Sequence, residues 1–394
     1  MEFRKIEEGE YREFWEKSEQ KTFLSAPDVI KLAGEAEYYG VFREGKLVAA
    51  GGFRVTKGRF GLCDIYAPRG VLVDYDDCAT LEFFVKGLRR AMRRRKVARI
   101  RLEPAVERIE RDIDGREVEG GYSGKKAEEN LLKVGFKKVP YVEGRSQITW
   151  QFVLEVEGKS EEELLAGMKA NTRRRLKQAL ELGMTTRELS REELAGFYEI
   201  LEDTAERKKF NTRGLEYYQK VYDEMAGKGM VEFVGVFVSP KDAMNRLEMM
   251  KKKILAEEPR TIREKQDHAD KLRSIETRMA KVGEILGEEK ESWEEVLVAA
   301  GMFYTVKPEI LHLSGGNRGK YLKLDGQYVL QWEMINKARR EGYKRYNFYG
   351  IAEKIYEKPE GYGVYEFKRG FGGKVEELLG EYVLPVSWVE KIRN

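Results

Sequence analysis

The chain has 394 residues, of which 36% are charged and 41% are hydrophobic, and its formal net charge is +4. This length exceeds what one hydrophobic core usually holds, so two domains are expected. The small net charge means that a polyanion would have to bind a local patch rather than the overall field. Two cysteines and two histidines argue against a disulfide framework, a zinc site and a histidine-dependent hydrolase.

The start of the chain and its hydropathy bear on its location. The stretch MEFRKIEEGEYREFWEK is acidic and amphipathic and lacks the apolar segment of a signal peptide. No segment reaches the roughly 18 apolar residues that a membrane span needs. We therefore expect a cytoplasmic protein that uses no cofactor and no metal. Peripheral contact with the inner face of the membrane stays open.

Two parts of the chain share one order of predicted elements. In the first part, two strands lead to VAAGGF (48–53), and a third strand covers GLCDIYA (61–67). A helix then begins near Cys78, and the strand ARIRLEP (98–104) follows it. The apolar residues of this helix recur at helical spacing and are Leu81, Phe84, Val85, Leu88 and Met92.

In the second part, a strand over 230–238 precedes VAAGMF (298–303), and the strand EILHLSG (309–315) leads to a helix and to KRYNFYGI (344–351). The apolar residues of that helix are Leu330, Met334, Ile335 and Ala338. The repeat predicts an α/β (α+β) protein with two GNAT-like domains, which have the fold of acyl-CoA N-acyltransferases. We assign 1–150 to the first domain, joined by 375–394, and 151–374 to the second.

A charged segment interrupts the second domain between residues 241 and 290. Its apolar residues recur at alternating spacings of three and four, first from Met244 to Ile254 and then from Ile262 to Ile285. Pro259 separates the two stretches, and proline disrupts a continuous helix. We expect an antiparallel helical coiled-coil arm, and a single kinked helix is the alternative.

Five further segments carry a resemblance that spans nearly the whole chain. They are FLSAPDVIK (23–31), YAPRGVLVD (66–74), ANTRRRLKQALELGM (170–184), REGYKRYNFYGI (340–351) and YEFKRGFGG (365–373). In this order they resemble the motifs of the Fem-type family (FemA, FemB, FemX and MurM), the peptidoglycan bridge-forming aminoacyltransferases. The last is similar to the family's F-K-x-x-F-G-G motif. Ser25 and Asn347 stand where the family usually has Gln and Asp.

The resemblance implies a transfer reaction. An aminoacyl-tRNA would give Gly, Ala or Ser to the stem-peptide side-chain amine of a peptidoglycan precursor and so build the interpeptide bridge. The precursor would be either lipid II or UDP-MurNAc-pentapeptide. Because the tRNA ester is already activated, the enzyme needs orientation and stabilisation of the oxyanion rather than a histidine base.

The resemblance places catalytic residues at Phe367 and Lys368. A cation at a poorly screened site would stabilise developing negative charge or bind a precursor phosphate, and Phe367 would pack beside it. Gly372 and Gly373 would let the backbone approach closely. A surface cation in a β-turn is the alternative, and we expect Arg369 to face solvent.

The resemblance also implies residues that bind the precursor. Arg213 and Tyr217 are four positions apart, a spacing that puts both on one face of a helix, and an arginine fork suits a pyrophosphate. Lys31 would be a further phosphate ligand. Glu103 stands where the family often has Asp, and we expect it to be a solvent-exposed carboxylate at a strand end. Orientation of the acceptor amine by Glu103 is the alternative.

Two basic runs are candidates for contact with tRNA phosphates. The run within 171–177 provides Arg173, Arg174, Arg175 and Lys177, and we assign tRNA binding to these four residues. The run within 88–99 is a second candidate. The alternative for both runs is a solvated charged face.

Two other functions are compatible with parts of the sequence. A CoA-dependent GNAT N-acyltransferase would need a glycine-rich pyrophosphate loop between strand and helix, which RGVLVDYDD (69–77) and GGNRGKYLK (315–323) do not provide. A non-catalytic module that binds tRNA or a membrane through the arm would keep its function without Lys368 or Arg213.

Overall fold

The structure, a computed structural model, describes residues 1–57, 62–93, 95–142, 144–209 and 211–386. Its strands are β1 (Glu2–Ile6), β2 (Ala36–Arg43), β3 (Lys46–Lys57), β4 (Cys63–Ala67), β5 (Val97–Leu102), β6 (Glu107–Glu110), β7 (Lys137–Lys138), β8 (Trp150–Glu155), β9 (Thr185–Glu188), β10 (Val231–Val238), β11 (Val296–Val306), β12 (Glu309–Asn317), β13 (Arg345–Gly350), β14 (Lys374–Leu378) and β15 (Tyr382–Pro385). Its helices are α1 (Glu8–Lys17), α2 (Pro27–Leu32), α3 (Cys78–Arg93), α4 (Lys125–Lys133), α5 (Glu161–Gly167), α6 (Ala170–Leu180), α7 (Leu194–Lys208), α8 (Leu215–Met225), α9 (Pro240–Leu255), α10 (Ile262–Leu286), α11 (Gly326–Arg340) and α12 (Tyr362–Arg369).

The strands of the described residues form two sheets. One has seven strands in the order β1-β2-β3-β4-β5-β15-β7, and the other has eight in the order β6-β14-β8-β13-β12-β11-β10-β9. In the first sheet, β4 and β5 are parallel, and the chain between them forms α3. Such a crossover is what a parallel pair of consecutive strands requires, whereas antiparallel strands can be joined by a short turn.

The internal repeat is visible in the strand register. VAAGGF lies in β3 and VAAGMF in β11, and each pairs antiparallel with the preceding strand. In both pairs a glycine lies opposite the second alanine of the motif, Gly40 opposite Ala50 and Gly235 opposite Ala300. In both, the register shifts directly after the next valine, which indicates a β-bulge at the same place.

The two crossover helices bury the residues predicted for them. Every apolar position named for α3 and α11 is buried, namely Leu81, Phe84, Val85, Leu88, Met92, Leu330, Met334, Ile335 and Ala338. The order strand, strand, strand, helix, strand therefore occurs twice, as β2-β3-β4-α3-β5 and as β10-β11-β12-α11-β13. The predicted α/β fold with two GNAT-like domains is confirmed.

The chain separates into two compact units whose boundaries differ from the prediction. The first comprises Met1–Glu155, Val306–Glu309 and Asn347–Asn394, and the second comprises Val156–Thr305 and Ile310–Tyr346. The sequence placed 347–374 in the second domain, whereas the structure groups it with the first unit. The reason is that α12 packs against β8, and β14 pairs with β8 and β6.

The last strand of the described residues belongs to the seven-stranded sheet. Strand β15 pairs antiparallel with β5 and with β7. Tyr382, at its start, is fully buried in the core of the first unit, where the apolar face of α3 also lies. Residues 387–394, which the sequence also assigned to the first domain, lie outside the described residues.

The charged insertion forms two helices, α9 and α10, that pack against each other. Lys251 pairs with Glu276, and Glu257 pairs with Lys271, so the helices run in opposite directions. Pro259 lies in the loop between them. Two of the predicted apolar positions differ, since Ile262 is 89% exposed and Ala269 is also exposed.

The arm occupies a position that is a tight turn in the other repeat. Strands β2 and β3 are joined by Glu44 and Gly45, which have φ values of 51° and 77°. Two consecutive positive φ angles are typical of a type I′ hairpin turn. The corresponding strands β10 and β11 are joined instead through α9 and α10. The insertion therefore replaces a turn and leaves the strand pairing unchanged.

We predict that Gly373→Ala weakens the fold. Gly373 has a φ of +112°, and an added Cβ would lie 2.3 Å from the Val153 carbonyl oxygen. The substitution should lower the free energy of unfolding by about 1–3 kcal/mol, measured by denaturant unfolding. Gly363→Ala is the control, because it lies in α12 with no atom within 4 Å of the added Cβ. Equal stability of the two variants would contradict the prediction.

Candidate active site

Lys368 lies in the last turn of α12, and its side chain is turned into the first unit. The residue is only 8% exposed. Its Nζ donates hydrogen bonds to the carbonyl oxygens of Tyr349, at 3.2 Å, and Gly350, at 2.5 Å. An ammonium group has three donors, so one remains for another acceptor. The alternative of a surface cation in a β-turn is therefore wrong.

The surroundings of Lys368 change its ionisation. Burial lowers the pKa of its amine to about 7, because a charged amine loses its hydration inside the protein. The neutral form of this amine is therefore reached at a lower pH than in an ordinary lysine. Perturbed ionisation of this kind is frequent at functional sites.

The residues next to Lys368 in the motif are two phenylalanines, several glycines and one arginine. Phe367 is half-buried and lies edge-to-face against Phe371, with ring centroids 5.4 Å apart. Gly372 and Gly373 have φ values of 85° and 112°, which favour glycine. Arg369 does not face solvent as expected, because it pairs with Asp114 and donates to Glu366.

The carbonyls that receive Lys368 come from an unusual piece of backbone that sequence reasoning missed. Tyr349 has a φ of 63°, a conformation that few bulky residues adopt. Its N–H donates to Oδ1 of Asn347 at 2.7 Å. A side-chain oxygen that accepts from the backbone two residues ahead is typical of Asn in turns. The N-F-Y-G sequence (347–350) contained this signal.

Glu103 forms a second buried group in the first unit. It is 1% exposed, and the expectation of a solvent-exposed carboxylate is wrong. It accepts hydrogen bonds from the Tyr66 hydroxyl and, at 2.7 Å, from the backbone N–H of Gln147. Burial raises the pKa of Glu103 above its ordinary value. Sequence reasoning missed the burial because a strand-end carboxylate usually faces water.

Arg213 and Tyr217 lie together in the second unit, but not on one helix face. Helix α8 begins at Leu215 after Gly214, so Arg213 precedes it. The Arg213 guanidinium nevertheless lies over the Tyr217 ring, 5.4 Å from its centroid. Arg213 is exposed, and no carboxylate of the described residues pairs with it. Its hydrogen-bond donors can therefore reach a ligand.

Lys31 has a different environment from Arg213. It lies in the last turn of α2 and pairs with the carboxylate of Glu8. This hydrogen bond is the main cause of the lowered pKa of Glu8. A phosphate at Lys31 would have to compete with that carboxylate.

The predicted tRNA-binding residues of α6 separate into two groups. Arg174 and Lys177 are exposed, and Arg173 is exposed while it donates to the Leu165 carbonyl at the end of α5. Arg175 is different, because it pairs with Asp325 and donates to the Tyr328 hydroxyl at 3.0 Å. Its guanidinium already has partners within the second unit, so a tRNA phosphate at Arg175 would have to compete with the Asp325 carboxylate.

The other basic run is also partly used by the protein itself. Arg95 pairs with the buried carboxylate of Glu37 and donates to the Tyr39 hydroxyl. Arg90 is exposed. Arg94 lies outside the described residues.

The part of the chain that the structure describes provides neither a cluster of metal ligands nor a membrane-spanning helix. Across these residues, no group of three or more His, Cys, Asp or Glu side chains is placed to hold a metal ion. Among the same residues, none of the helices combines the length and the apolar character needed to cross a bilayer.

The chain resembles known proteins over most of its length. The model of the FemAB family matches residues 6–390. Aminoacyltransferase FemA of Staphylococcus aureus strain bovine RF122 / ET3-1 is 26% identical over 333 residues, which are 82% of this chain and 79% of that protein. FemA of strain MRSA252 gives the same identity and coverage.

A solved structure supports the fold. The crystal structure of FemX superposes with a TM-score of 0.76 at 22% sequence identity, over 98% of this chain and 97% of the other. Its likeness concerns the arrangement of the elements, while the family model covers the motifs that carry Lys368 and Arg213. The chain belongs to the FemAB family.

Proposed function

We propose that this protein is an aminoacyltransferase that moves Gly, Ala or Ser from aminoacyl-tRNA to the stem-peptide side-chain amine of a peptidoglycan precursor. The observation that carries the proposal is the buried Lys368 amine within the FKRGFGG motif of a FemAB family member. The relatives named aminoacyltransferase FemA support the reaction class. The enzyme works in the cytoplasm, and with lipid II as acceptor it meets the inner face of the membrane.

The chemistry needs a charge stabiliser more than a base. The acceptor nitrogen forms a bond to the ester carbonyl carbon, and the bond from that carbon to the tRNA ribose oxygen then breaks. The proton of the attacking amine ends on the leaving ribose oxygen or in solvent. Between these events the carbonyl oxygen carries negative charge, and a preorganised donor stabilises it. The third donor of protonated Lys368 fills this role.

Arg213 is the proposed ligand of the precursor pyrophosphate. Its guanidinium lies over the Tyr217 ring, 5.4 Å from the ring centroid, and this contact restrains the arginine side chain. An arginine fork makes paired hydrogen bonds with phosphate oxygens. Lys31 is a second candidate for the same ligand, with the competition from Glu8 noted above.

The exposed cations of α6 are the proposed contact with tRNA. They are Arg173, Arg174 and Lys177, with Arg175 left out. Cations of this kind give affinity that depends on salt and not on sequence. The specificity for one charged tRNA would have to come from other groups.

The crossover helices argue against a CoA-dependent acyltransferase. A CoA pyrophosphate would need an open helix N-terminus. The N-cap of α11 is Asp325, whose carboxylate is bound by Arg175. In the other repeat, Asp77 accepts from the backbone N–H of Thr80 in the first turn of α3. The terminus of α3 is thus capped by a carboxylate. At α11 the Asp325 side chain makes no capping hydrogen bond, and the first-turn N–H of Gln327 donates instead to Oδ1 of Asn317 at 3.1 Å.

A transfer assay tests the proposed function. Purified protein is mixed with tRNA charged with labelled Gly, Ala or Ser, and with either lipid II or UDP-MurNAc-pentapeptide. Label in the precursor would establish the reaction, and comparison of the arms would identify both substrates. Absence of label in every combination, with the protein folded and the tRNA still charged, would overturn the proposal.

We predict that Lys368→Met lowers the rate of transfer by about 100-fold or more, because it removes the donor that faces the oxyanion. Methionine has a similar length and no charge. Lys126→Met, an exposed lysine in α4, is the matched control and should keep the wild-type rate. A comparable rate in Lys368→Met and wild type would remove Lys368 from the mechanism.

The pH dependence of transfer should report the ionisation of Lys368. Only its protonated form carries the third donor, so its contribution is complete below pH 7 and is lost as the pH rises through about 7. The ratio of wild-type to Lys368→Met rates cancels the ionisation of the acceptor amine. We expect this ratio to fall up to about tenfold per pH unit above 7. A ratio that stays constant from pH 6 to 9 would contradict the assignment.

Arg213→Ala should act on binding rather than on chemistry. Loss of charge-assisted hydrogen bonds to phosphate should raise KM for the precursor about tenfold to a hundredfold, with kcat nearly unchanged. The exposed Arg116 provides the control substitution Arg116→Ala. Steady-state kinetics with varied precursor concentration measure both constants, and an unaltered KM would exclude Arg213 as the phosphate ligand.

A further inference from the structure

The end of β13 is held in a conformation that does not form by itself. Tyr349 has a φ of 63°, and this left-handed region costs an aromatic residue on the order of 1–3 kcal/mol. Such a residue persists only when the surrounding structure holds it there. The restraint must therefore come from groups that contact this backbone.

The contact is made by Asn347, whose side chain is completely buried. Its Oδ1 accepts from the Tyr349 N–H at 2.7 Å. Its Nδ2 donates to Oε1 of Gln151 at 3.2 Å and to Oε2 of Glu309 at 3.1 Å. Gln151 in turn donates from Nε2 to the buried carboxylate of Glu376. The amide of Asn347 is thus fixed on both sides, with its oxygen toward Tyr349.

This backbone carries the two acceptors of Lys368. The carbonyl oxygens of Tyr349 and Gly350 both accept from Nζ. Because φ and ψ at residue 349 set the direction of the Tyr349 carbonyl relative to the preceding residues of β13, a change of Tyr349 to an extended conformation would turn that carbonyl away. The amine would then lose an acceptor while it remained buried.

We propose that Asn347 is a positioning residue for Lys368, because it holds Tyr349 in the left-handed conformation that directs the Tyr349 carbonyl at the lysine amine. Only the expected effect of Asn347 on the rate of transfer rests on the proposed function. Its structural part, the control of the lysine amine by Asn347, can be measured without any transfer.

The identity of the residue follows from its partners. An asparagine supplies one acceptor for Tyr349 and two donors for Gln151 and Glu309. An aspartate would keep the acceptor and lose both donors, and it would place a second carboxylate beside Glu309 in a buried site. Asparagine is therefore the residue type that satisfies every partner in this chain.

Charged neighbours do not explain the ionisation of Lys368. The charged residues on the elements around it are Glu366 and Arg369 of α12, Arg345 of β13, Glu155 of β8, and Lys374, Glu376 and Glu377 of β14. The tyrosines on these elements are Tyr346, Tyr349, Tyr362 and Tyr365. Burial is the cause of its lowered pKa, without a resolved contribution from these charges. Hydrogen bonds from the ammonium to carbonyls favour the charged form, so loss of a carbonyl lowers the pKa further.

The test compares Asn347→Ala with Asn347→Asp. Side-chain NMR of lysine-labelled protein gives the pKa of Lys368, with Lys368→Met used to assign its signal. We expect Asn347→Ala to lower this pKa by about one unit, a tenfold loss of proton affinity. We expect Asn347→Asp, which keeps the oxygen, to hold the pKa at or above the wild-type value.

The same variants are compared in the transfer assay. Asn347→Ala should reduce kcat about tenfold with little change in KM, and Asn347→Asp should be closer to wild type. The buried Asn130 of α4, which donates to the Tyr75 carbonyl, gives the matched control Asn130→Ala with an unchanged Lys368 pKa. If Asn347 served only in packing, Asn347→Asp would reduce activity more than Asn347→Ala, because Asp adds a buried charge and Ala does not.

Each outcome decides the proposal. A wild-type Lys368 pKa in Asn347→Ala, or a greater disturbance in Asn347→Asp than in Asn347→Ala, would overturn it. If Asn347→Ala does not fold, a lowered Lys368 pKa in Asn347→Asp alone would overturn it, and a retained one would support it. Absence of transfer by the wild type, together with the expected pKa changes, would reject the proposed function and leave the positioning role intact.

Discussion

The burial of the Lys368 amine is the constraint on which the account depends. The Lys368 amine donates hydrogen bonds to two backbone carbonyls rather than to a carboxylate, and it is shielded from water. Burial of this kind opposes folding, so the surrounding structure must be rigid to maintain it. Three features of the first unit supply that rigidity. Helix α12 packs on β8, β14 pairs with β8 beside it, and Asn347 braces the end of β13.

The two repeats show how one fold can be used in different ways. They share the strand register and the bulge after a Gly-Val pair, which lies next to the connection between the two strands. In the first repeat that connection is a turn of two residues, and in the second it contains the helical arm. The cost of closing a loop grows slowly with its length, so a long insertion is tolerated where strand pairing is already fixed. The two repeats of this protein therefore differ in their connections and at the ends of their strands.

The sequence predicted secondary-structure elements and motifs better than it predicted the neighbours of individual side chains. The repeated VAAG motif and the apolar spacing of α3 and α11 depend on local periodicity, and the structure confirms them. The position of Lys368 in a short motif was also predictable, but its burial was not, because burial depends on β13, which is distant in sequence. The ion pair of Arg175 and the burial of Glu103 were not predictable for the same reason. Their partners, Asp325 and Tyr66, come from other elements.

The measurement that tests the central constraint most directly is the free energy of unfolding of wild type and Lys368→Met as a function of pH. The folded pKa of about 7 lies below the ordinary value of 10.5, so between these values the unfolded chain binds a proton that the folded chain does not. Wild-type stability should therefore rise with pH over this range. Lys368→Met should be more stable by up to about 5 kcal/mol below pH 7, with a gap that closes toward pH 10.5. A gap that is absent, or that does not change with pH, would show that the amine is not buried as described.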